Sequence, residues 1–325
     1  MRGLLFYLYK GEFMLKPFLT YDEQIHKLEH EKELIINDKS YACKQLQKIG
    51  YFALIGGYKH IFKNPTSKKY KYGVTFEEIV TLYQFDEALR ALFLKHILHV
   101  EREMKSLLSY YFCETYGESQ NAYLDVNNYN YTGKTKFNVN KLVQVLQDMI
   151  NKKSNYAYIT HNRSTYGNIP LWVLTNALTF GTISKMYQFS KHNIQSQICK
   201  NFSYINEKQL HQLLTIVAKC RNACAHNERL FSHRTTDAIP DLKLHEKLSI
   251  NRHNNNYIIG KKDLFAVVIA LRYLLEKDEF LQFKAQLSKL IHQLLKNCPH
   301  INQALLLDRM GFPENWESIT RYRNI

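Results

Sequence analysis

The sequence predicts an all-α protein, and three observations lead there. Thr20 with Glu23, and Thr75 with Glu78, are capping boxes: each sets a hydroxyl and a carboxylate where the first free N–H groups of a helix need acceptors. Apolar residues recur at spacings of three and four over long stretches, the period of one helix face. Alternation of apolar and polar residues, the mark of a half-buried strand, is scarce.

Taken in order, Thr20 opens the first helix and Thr75 opens the longest periodic segment. In that segment Ile79, Tyr83, Leu89, Leu92, Phe93, Ile97, Val100, Met104, Leu107, Leu108 and Tyr111 recur, so it reads as one long helix or two joined at a kink, with Gly117 as the stop. Leu142, Val145, Leu146 and Met149 mark a shorter helix. Pro170 suits the first turn of another, expected to run through Leu174 and Leu178 until Gly181 interrupts it. Asn206 caps a helix bearing Leu210, Leu213, Leu214 and Val217. Leu264 to Glu276 and Phe280 to Lys296 are expected to be two amphipathic helices paired antiparallel. Residues 63–73 and 123–140, rich in turn formers, lysine, tyrosine and asparagine, read as irregular. The expected organisation is an N-terminal extension over 1–13, with Met14 a candidate initiator, and a single domain over 14–325. Within that domain, 14–74 forms an N-terminal helical region and 75–325 a helical core.

The net charge is +15, from 44 Lys and Arg against 29 Asp and Glu, and a field of that sign favours polyanions, nucleic acid before a membrane surface. A base composition rich in Lys, Asn, Ile and Tyr codons would inflate the same count without function. Lys68, Lys69 and Lys71, interleaved with Tyr70 and Tyr72, could track a phosphate backbone while bases stack, or could be a solvated loop. Lys152, Lys153, His161 and Arg163 form another basic neighbourhood, and Arg229 is a further candidate RNA contact.

Cys43, Cys113, Cys199, Cys220, Cys224 and Cys298 contain no Cys-x-x-Cys pair, so neither a disulfide framework nor a zinc ribbon is suggested and the chain reads as cytoplasmic. No window approaches the length of a membrane-spanning helix, and no membrane partner is expected. Gly133-Lys134-Thr135 imitates the end of a phosphate-binding loop, but Asn128 stands where that loop needs glycine. Neither His-Glu-x-x-His, Gly-x-Ser-x-Gly nor Gly-x-Gly-x-x-Gly occurs. Neither metal nor cofactor is expected.

Chemistry concentrates in Lys219-Cys220-Arg221-Asn222-Ala223-Cys224-Ala225-His226-Asn227-Glu228-Arg229-Leu230. Arg221, Asn222 and His226 supply a fixed cation, a neutral amide and an imidazole that titrates near neutral pH, a set suited to metal-free cleavage of a phosphodiester. In one straight helix Asn222 and His226 share a face while Arg221 points about 140° away from His226. Either the helix ends near Ala225, as polar Asn227 would allow, or two copies face each other across a twofold axis and share the residues. The bland alternative is a pair of basic side chains at the negative end of a helix dipole. Asp86 and Arg90, four apart, read first as an intrahelical ion pair and second as support for a cleft.

Over nearly the whole length after Met14 the chain resembles the Abi-like family of bacterial abortive-infection proteins, members of the HEPN superfamily. The resemblance rests on Lys16-Pro17-Phe18-Leu19-Thr20, Gly50-Tyr51-Phe52 with Gly57-Tyr58, Phe76-Glu77-Glu78-Ile79 and Leu82-Tyr83-Gln84-Phe85-Asp86-Glu87-Ala88-Leu89-Arg90. It continues through Pro170-Leu171-Trp172, Leu178-Thr179-Phe180-Gly181-Thr182, the Arg221–Leu230 segment and Met310-Gly311-Phe312-Pro313-Glu314-Asn315-Trp316. It implies a HEPN-type helical bundle with additional N-terminal and C-terminal helices, a homodimer that builds the active cleft, and RNase activity resting on Arg221, Asn222 and His226. It also implies a role in anti-phage defence, with a small structured RNA as a partner or restraint beside the RNA substrate. Relatives often carry a glutamate in the helix after Pro-Leu-Trp, where this chain has Asn176. The alternatives are a HEPN scaffold that binds RNA without cutting it, and a helical interaction module that recognises a phage protein.

Overall fold

The structure is a computed structural model that describes residues 16–151 and 156–322. The extension over 1–13 with Met14, and Lys152 and Lys153, lie outside the described residues. Backbone contacts divide the chain into two units, Met1–Tyr83 and Gln84–Ile325.

In the first unit, α1 (Tyr21–His26) starts at Thr20, whose hydroxyl and the Glu23 carboxylate satisfy each other's backbone N–H groups. α2 (Lys39–Ile49) is capped by Asp38, which accepts from Tyr41 N at 2.9 Å, and ends at Gly50 with φ +86°. Leu28, Ala42, Leu46, Leu54, Phe62 and Val74 are buried. The basic loop at 63–73 is largely engaged with its own unit: Lys69 pairs with Glu33, Lys71 Nζ donates to Ile61 O at 3.1 Å, and Tyr70 is buried under the Lys63 ammonium. Of its two tyrosines only Tyr72 is exposed.

α3 (Phe76–Tyr116) begins in the first unit and continues through the second as one uninterrupted helix of 41 residues. Its start is the Thr75–Glu78 capping box, and it stops at Gly117, whose positive φ of +84° lets its N–H return to Cys113 O at 2.8 Å.

The second unit adds α4 (Gln120–Leu124), α5 (Lys136–Asn151), α6 (Ala157–Tyr166), α7 (Leu171–Leu174), α8 (Phe180–Phe189), α9 (His192–Cys199) and α10 (Glu207–Ala225). It closes with α11 (Lys243–Lys247), α12 (Leu264–Leu274), α13 (Lys277–Asn297) and α14 (Gln303–Met310). Among the described residues the only paired strands are β1 (Arg252–His253) and β2 (Asn256–Tyr257). They turn through Asn254 and Asn255, both left-handed at φ +47° and +61°, as a two-residue hairpin requires. The chain is therefore all-α, and no helix among the described residues is long and apolar enough to cross a membrane.

Three elements depart from the sequence reading. The stretch 123–140 is not irregular throughout, since α4 takes in Tyr123 and Leu124 and α5 begins at Lys136. The helix expected from Pro170 to Gly181 is broken earlier: α7 tightens into a 3₁₀ turn at Thr175–Ala177, Leu178 is extended, and Thr179 caps α8, accepting from Thr182 N at 3.2 Å. The hydroxyl of Thr179 competes for the backbone N–H that a continuous helix would have used, so Gly181 sits in a first turn. α12 is also not amphipathic, since each of its residues except Arg272 is buried. It is the unit's inner helix, with α10 packed against both α12 and α8.

The C-terminal Gly311 ends α14 at φ +76°, and a Cβ there would lie 2.5 Å from Asp263 Cγ. Asp263 caps α12, accepting from Ala266 N at 3.0 Å and Gly260 N at 2.9 Å. Gly311→Ala therefore combines a strained backbone with displacement of a buried cap, and urea unfolding should show a loss of about 3 kcal/mol.

Four histidines are held neutral by burial. Desolvation lowers the pKa of His96, His211, His233 and His245, and Lys95 and His99 add to the effect at His96. His245 is fully buried, accepts from Leu242 N at Nδ1 and donates from Nε2 to Gly260 O, which is the bonding of a neutral ring. Each such imidazole binds its proton more readily when the chain is unfolded. Stability is thus full above the unfolded value near pH 6.5 and falls as pH drops below it, by about 1.4 kcal/mol per pH unit for each group until the folded pKa is reached. Thermal unfolding at pH 7 and pH 5 should show a lower midpoint at pH 5.

Candidate functional site

Asn206 opens α10 through a capping box with Gln209, and the helix runs 19 residues to Ala225. Its inner face carries Leu210, Leu213, Leu214, Val217, Cys220 and Cys224, all buried. The thiol of Cys220 hydrogen bonds with Cys224, and that bond together with burial pushes its pKa up, so these cysteines serve as small core residues. Among the described residues no group of three His, Cys, Asp or Glu side chains is arranged to hold a metal ion.

The helix ends where the polar Asn227 allows. His226 is the cap residue at φ −95°, ψ 12°, and Asn227 turns left-handed at φ +60°. Asn227 N donates to Cys224 O at 3.4 Å and Glu228 N to Ala223 O at 3.0 Å, the two bonds of a Schellman motif with asparagine in the place glycine usually takes. His226 therefore sits on a hydrogen-bonded turn at the helix end, and its side chain is exposed, as is that of Asn222.

The chain after the turn is anchored on α3. The fully buried Asp86 carboxylate accepts from Leu230 N at 3.0 Å and Phe231 N at 2.6 Å while pairing with Arg90 at 2.9 Å. Arg90 Nη1 also donates to Glu228 O at 3.3 Å. Asp86 and Arg90 are thus both an intrahelical pair and a brace for the loop that carries His226.

Arg221 is braced in a second way. Its Nε donates to Glu101 Oε2 at 3.3 Å, and the other oxygen of this buried carboxylate meets Lys105 Nζ at 2.8 Å. Neither Nη of Arg221 donates to a described residue, so the outer edge of the guanidinium remains available to an anion. Glu101 is absent from the sequence-predicted set, yet it has a signal: it lies four residues after Ile97 and three before Met104 in an apolar stripe, where a carboxylate needs a partner. Asn176 lines with Glu101, Arg102 and Lys105 a groove of about 400 Å³.

Arg221 and Asn222 lie in the last two turns of α10, His226 is the residue that caps it, and Arg229 follows in the loop beyond. Arg163 lies on α6, whereas Lys68, Lys69 and Lys71 belong to the first unit. A cavity of about 490 Å³ lined by Glu103, Tyr204 and Arg272 contains none of the predicted site residues. Chemically, the end of α10 combines an exposed imidazole, an exposed amide and a carboxylate-held guanidinium, which can move a proton and grip a phosphate.

The comparisons with known proteins bear on this segment. No curated protein and no solved structure matches the chain. The model of the Abi-like protein family matches residues 44–232, more than half of the 325 residues, and its match ends just beyond the loop that Asp86 holds. With α3, α7 and the whole Arg221–His226 segment inside that match, the chain belongs to the Abi-like protein family.

Proposed function

We propose that this chain is a metal-independent endoribonuclease of the HEPN type, working in abortive infection, where cutting host or phage RNA halts growth of the infected cell. His226 takes the proton from a ribose 2′-hydroxyl or gives one to the leaving 5′-oxygen. Arg221 binds the scissile phosphate through its outer edge and offsets charge as the phosphorus becomes pentacoordinate. Asn222, one helical turn before His226, orients the phosphate or the imidazole. A homodimer places two such helix ends in one cleft, so that one histidine serves as base and its mate as acid. A small structured RNA is a further candidate partner for a chain of charge +15.

The main support is the pairing of an exposed imidazole on a doubly anchored turn with a guanidinium whose inner edge is held by a buried carboxylate. Glu101 orients the Arg221 guanidinium through Nε while the Nη groups donate to no described residue, and the turn fixes the His226 backbone, so the helix end is placed before substrate arrives. Membership of the Abi-like family supports the defence role.

The test is to incubate the purified protein with mixed RNA in EDTA. Cleavage that persists in EDTA is expected, and cleavage that depends on an added divalent metal would contradict the mechanism. Tight, salt-dependent binding with the RNA left whole would instead favour a HEPN protein that holds RNA without cutting it.

A further inference from the structure

The groove beside Glu101 has features that cleavage chemistry alone leaves unexplained. One wall is α3, presenting Arg102 and Lys105, and the other is the α7 segment, presenting Trp172 and Asn176. Trp172 is 50% exposed, although Leu171 and Leu174 on either side are sealed in the core. The segment that carries it is fixed: Ile169 O accepts from the Tyr123 hydroxyl at 2.6 Å, and Trp172 O accepts from Asn176 Nδ2 at 2.8 Å. A rigid backbone thus holds a large indole against water, where its face loses the burial that an aromatic side chain normally gains.

On the groove side of Trp172 the charges are Arg102 and Lys105 with the single carboxylate Glu101, whereas Glu114 and Glu118 lie on its other side. Arg102 is exposed and forms no ion pair with a described residue. Lys105 shares Glu101 with Arg221, so the single carboxylate on this wall meets two cations, and Arg102 makes a third. Along α3 the groove runs into a second hollow that shares Ser106, Ser109 and Trp172 but is edged by Glu114, Glu118 and Tyr110, whose hydroxyl donates to Glu114 Oε1 at 3.1 Å, so the cationic part of the surface is confined to the Arg102 side. An exposed indole beside the Arg102 guanidinium, next to the arginine assigned to the phosphate, forms the pattern of a single stacking position with a cation for the adjoining phosphate.

We propose that the groove between α3 and residues 170–177 binds an unpaired nucleotide of the RNA, its base stacked on Trp172 and its phosphate on Arg102. This deepens the nuclease reading and rests on it. It makes the substrate class single-stranded, because a base paired in a duplex keeps its faces inside the stack and cannot cover an indole. A groove of about 400 Å³ is of the size that takes one small ligand, which here is one nucleotide.

The chain has two tryptophans, and Trp316 is buried, so quenching of exposed tryptophan emission reports on Trp172. A ten-nucleotide oligouridine is titrated into the full-length His226→Ala protein, which keeps binding separate from cleavage, and a matched duplex serves as comparison. Quenching by the single strand is expected, and Trp172→Phe should abolish it while retaining most of the affinity. Trp172→Ala should weaken single-strand binding roughly 5- to 150-fold and duplex binding far less. Arg102→Gln should weaken binding and reduce the slope of log affinity against log salt by about 0.7.

Unchanged single-strand affinity in Trp172→Ala, or equal loss for single strand and duplex, would overturn the proposal. So would a Trp172→Ala protein that sediments as a smaller species with unaltered RNA affinity, which would assign the groove to a second copy of the chain. A wild-type protein that cuts RNA while Trp172→Ala binds normally rejects the groove alone. Trp172-dependent binding without cleavage by the wild type rejects the nuclease reading and leaves the groove standing.

Discussion

His226→Ala is expected to lower the rate of RNA cleavage by about 10²- to 10⁴-fold, the usual contribution of a positioned general acid or base. The same change should leave stability within about 0.5 kcal/mol, because the imidazole is exposed and the cap that it occupies is made by its backbone. The contrast between the two readouts is what separates chemistry from folding. A dipole-stabilising histidine at a helix C-terminus would behave in the opposite way, with a measurable stability loss and little effect on cleavage. Initial rates on a labelled RNA and urea unfolding of the same preparations measure both.

The largest expected effect on stability comes from Asp86. An exposed ion pair four residues apart on a helix is worth a few tenths of a kcal/mol, but Asp86 and Arg90 are both buried and Asp86 also receives the Leu230 and Phe231 amides. Asp86→Ala leaves a buried guanidinium without its counter-charge and two backbone N–H groups without an acceptor. Loss of one member of such a pair costs about 3–5 kcal/mol. Since the freed loop begins two residues after His226, cleavage by whatever remains folded should also fall. Asp86→Asn keeps one acceptor and should lose less. In a double-mutant cycle with Arg90→Met, the second change should recover part of the loss, because it removes the stranded charge. Urea unfolding of the four proteins gives the coupling energy, and a value near zero would mean that the two residues act separately.

The parts of this protein that were legible in its sequence are those set by local physics. Both capping boxes, the stop at Gly117 and the cap at Asn206 stand as the residue types require. An end of α10 near Ala225 is one of two readings the sequence allows, and Asn227, which tolerates the left-handed turn, places His226 just past the helix. Where the reading failed, two local signals competed. Thr179 offers a helix start inside a stretch whose apolar spacing favoured continuity, and the cap prevailed. For α12 the sequence held the answer, since Leu264 to Leu274 contains a single charged residue, Arg272, and a helix apolar all round belongs in a core.

Long-range partners were not legible. Nothing near Asp86 in the sequence shows that its carboxylate meets amides at Leu230 and Phe231, 144 and 145 residues away. Glu101 could be flagged as a carboxylate in an apolar stripe, but its partner Arg221 lies 120 residues on, and only the fold brings them together. The same holds for Trp172, whose exposure depends on what packs around α7 and not on its neighbours in the chain.

The most direct measurement is the chemistry of the cut ends. Attack by the ribose 2′-hydroxyl forms a bond to phosphorus and breaks the bond to the 5′-oxygen, so RNA cut by the wild-type protein in EDTA should carry 2′,3′-cyclic phosphate and 5′-hydroxyl termini by mass spectrometry. Their rate of appearance should fall by about 10²-fold or more with Arg221→Ala and with His226→Ala. Fragments ending in 3′-hydroxyl and 5′-phosphate would mean that water and not the ribose is the nucleophile, and would contradict the role assigned to the end of α10.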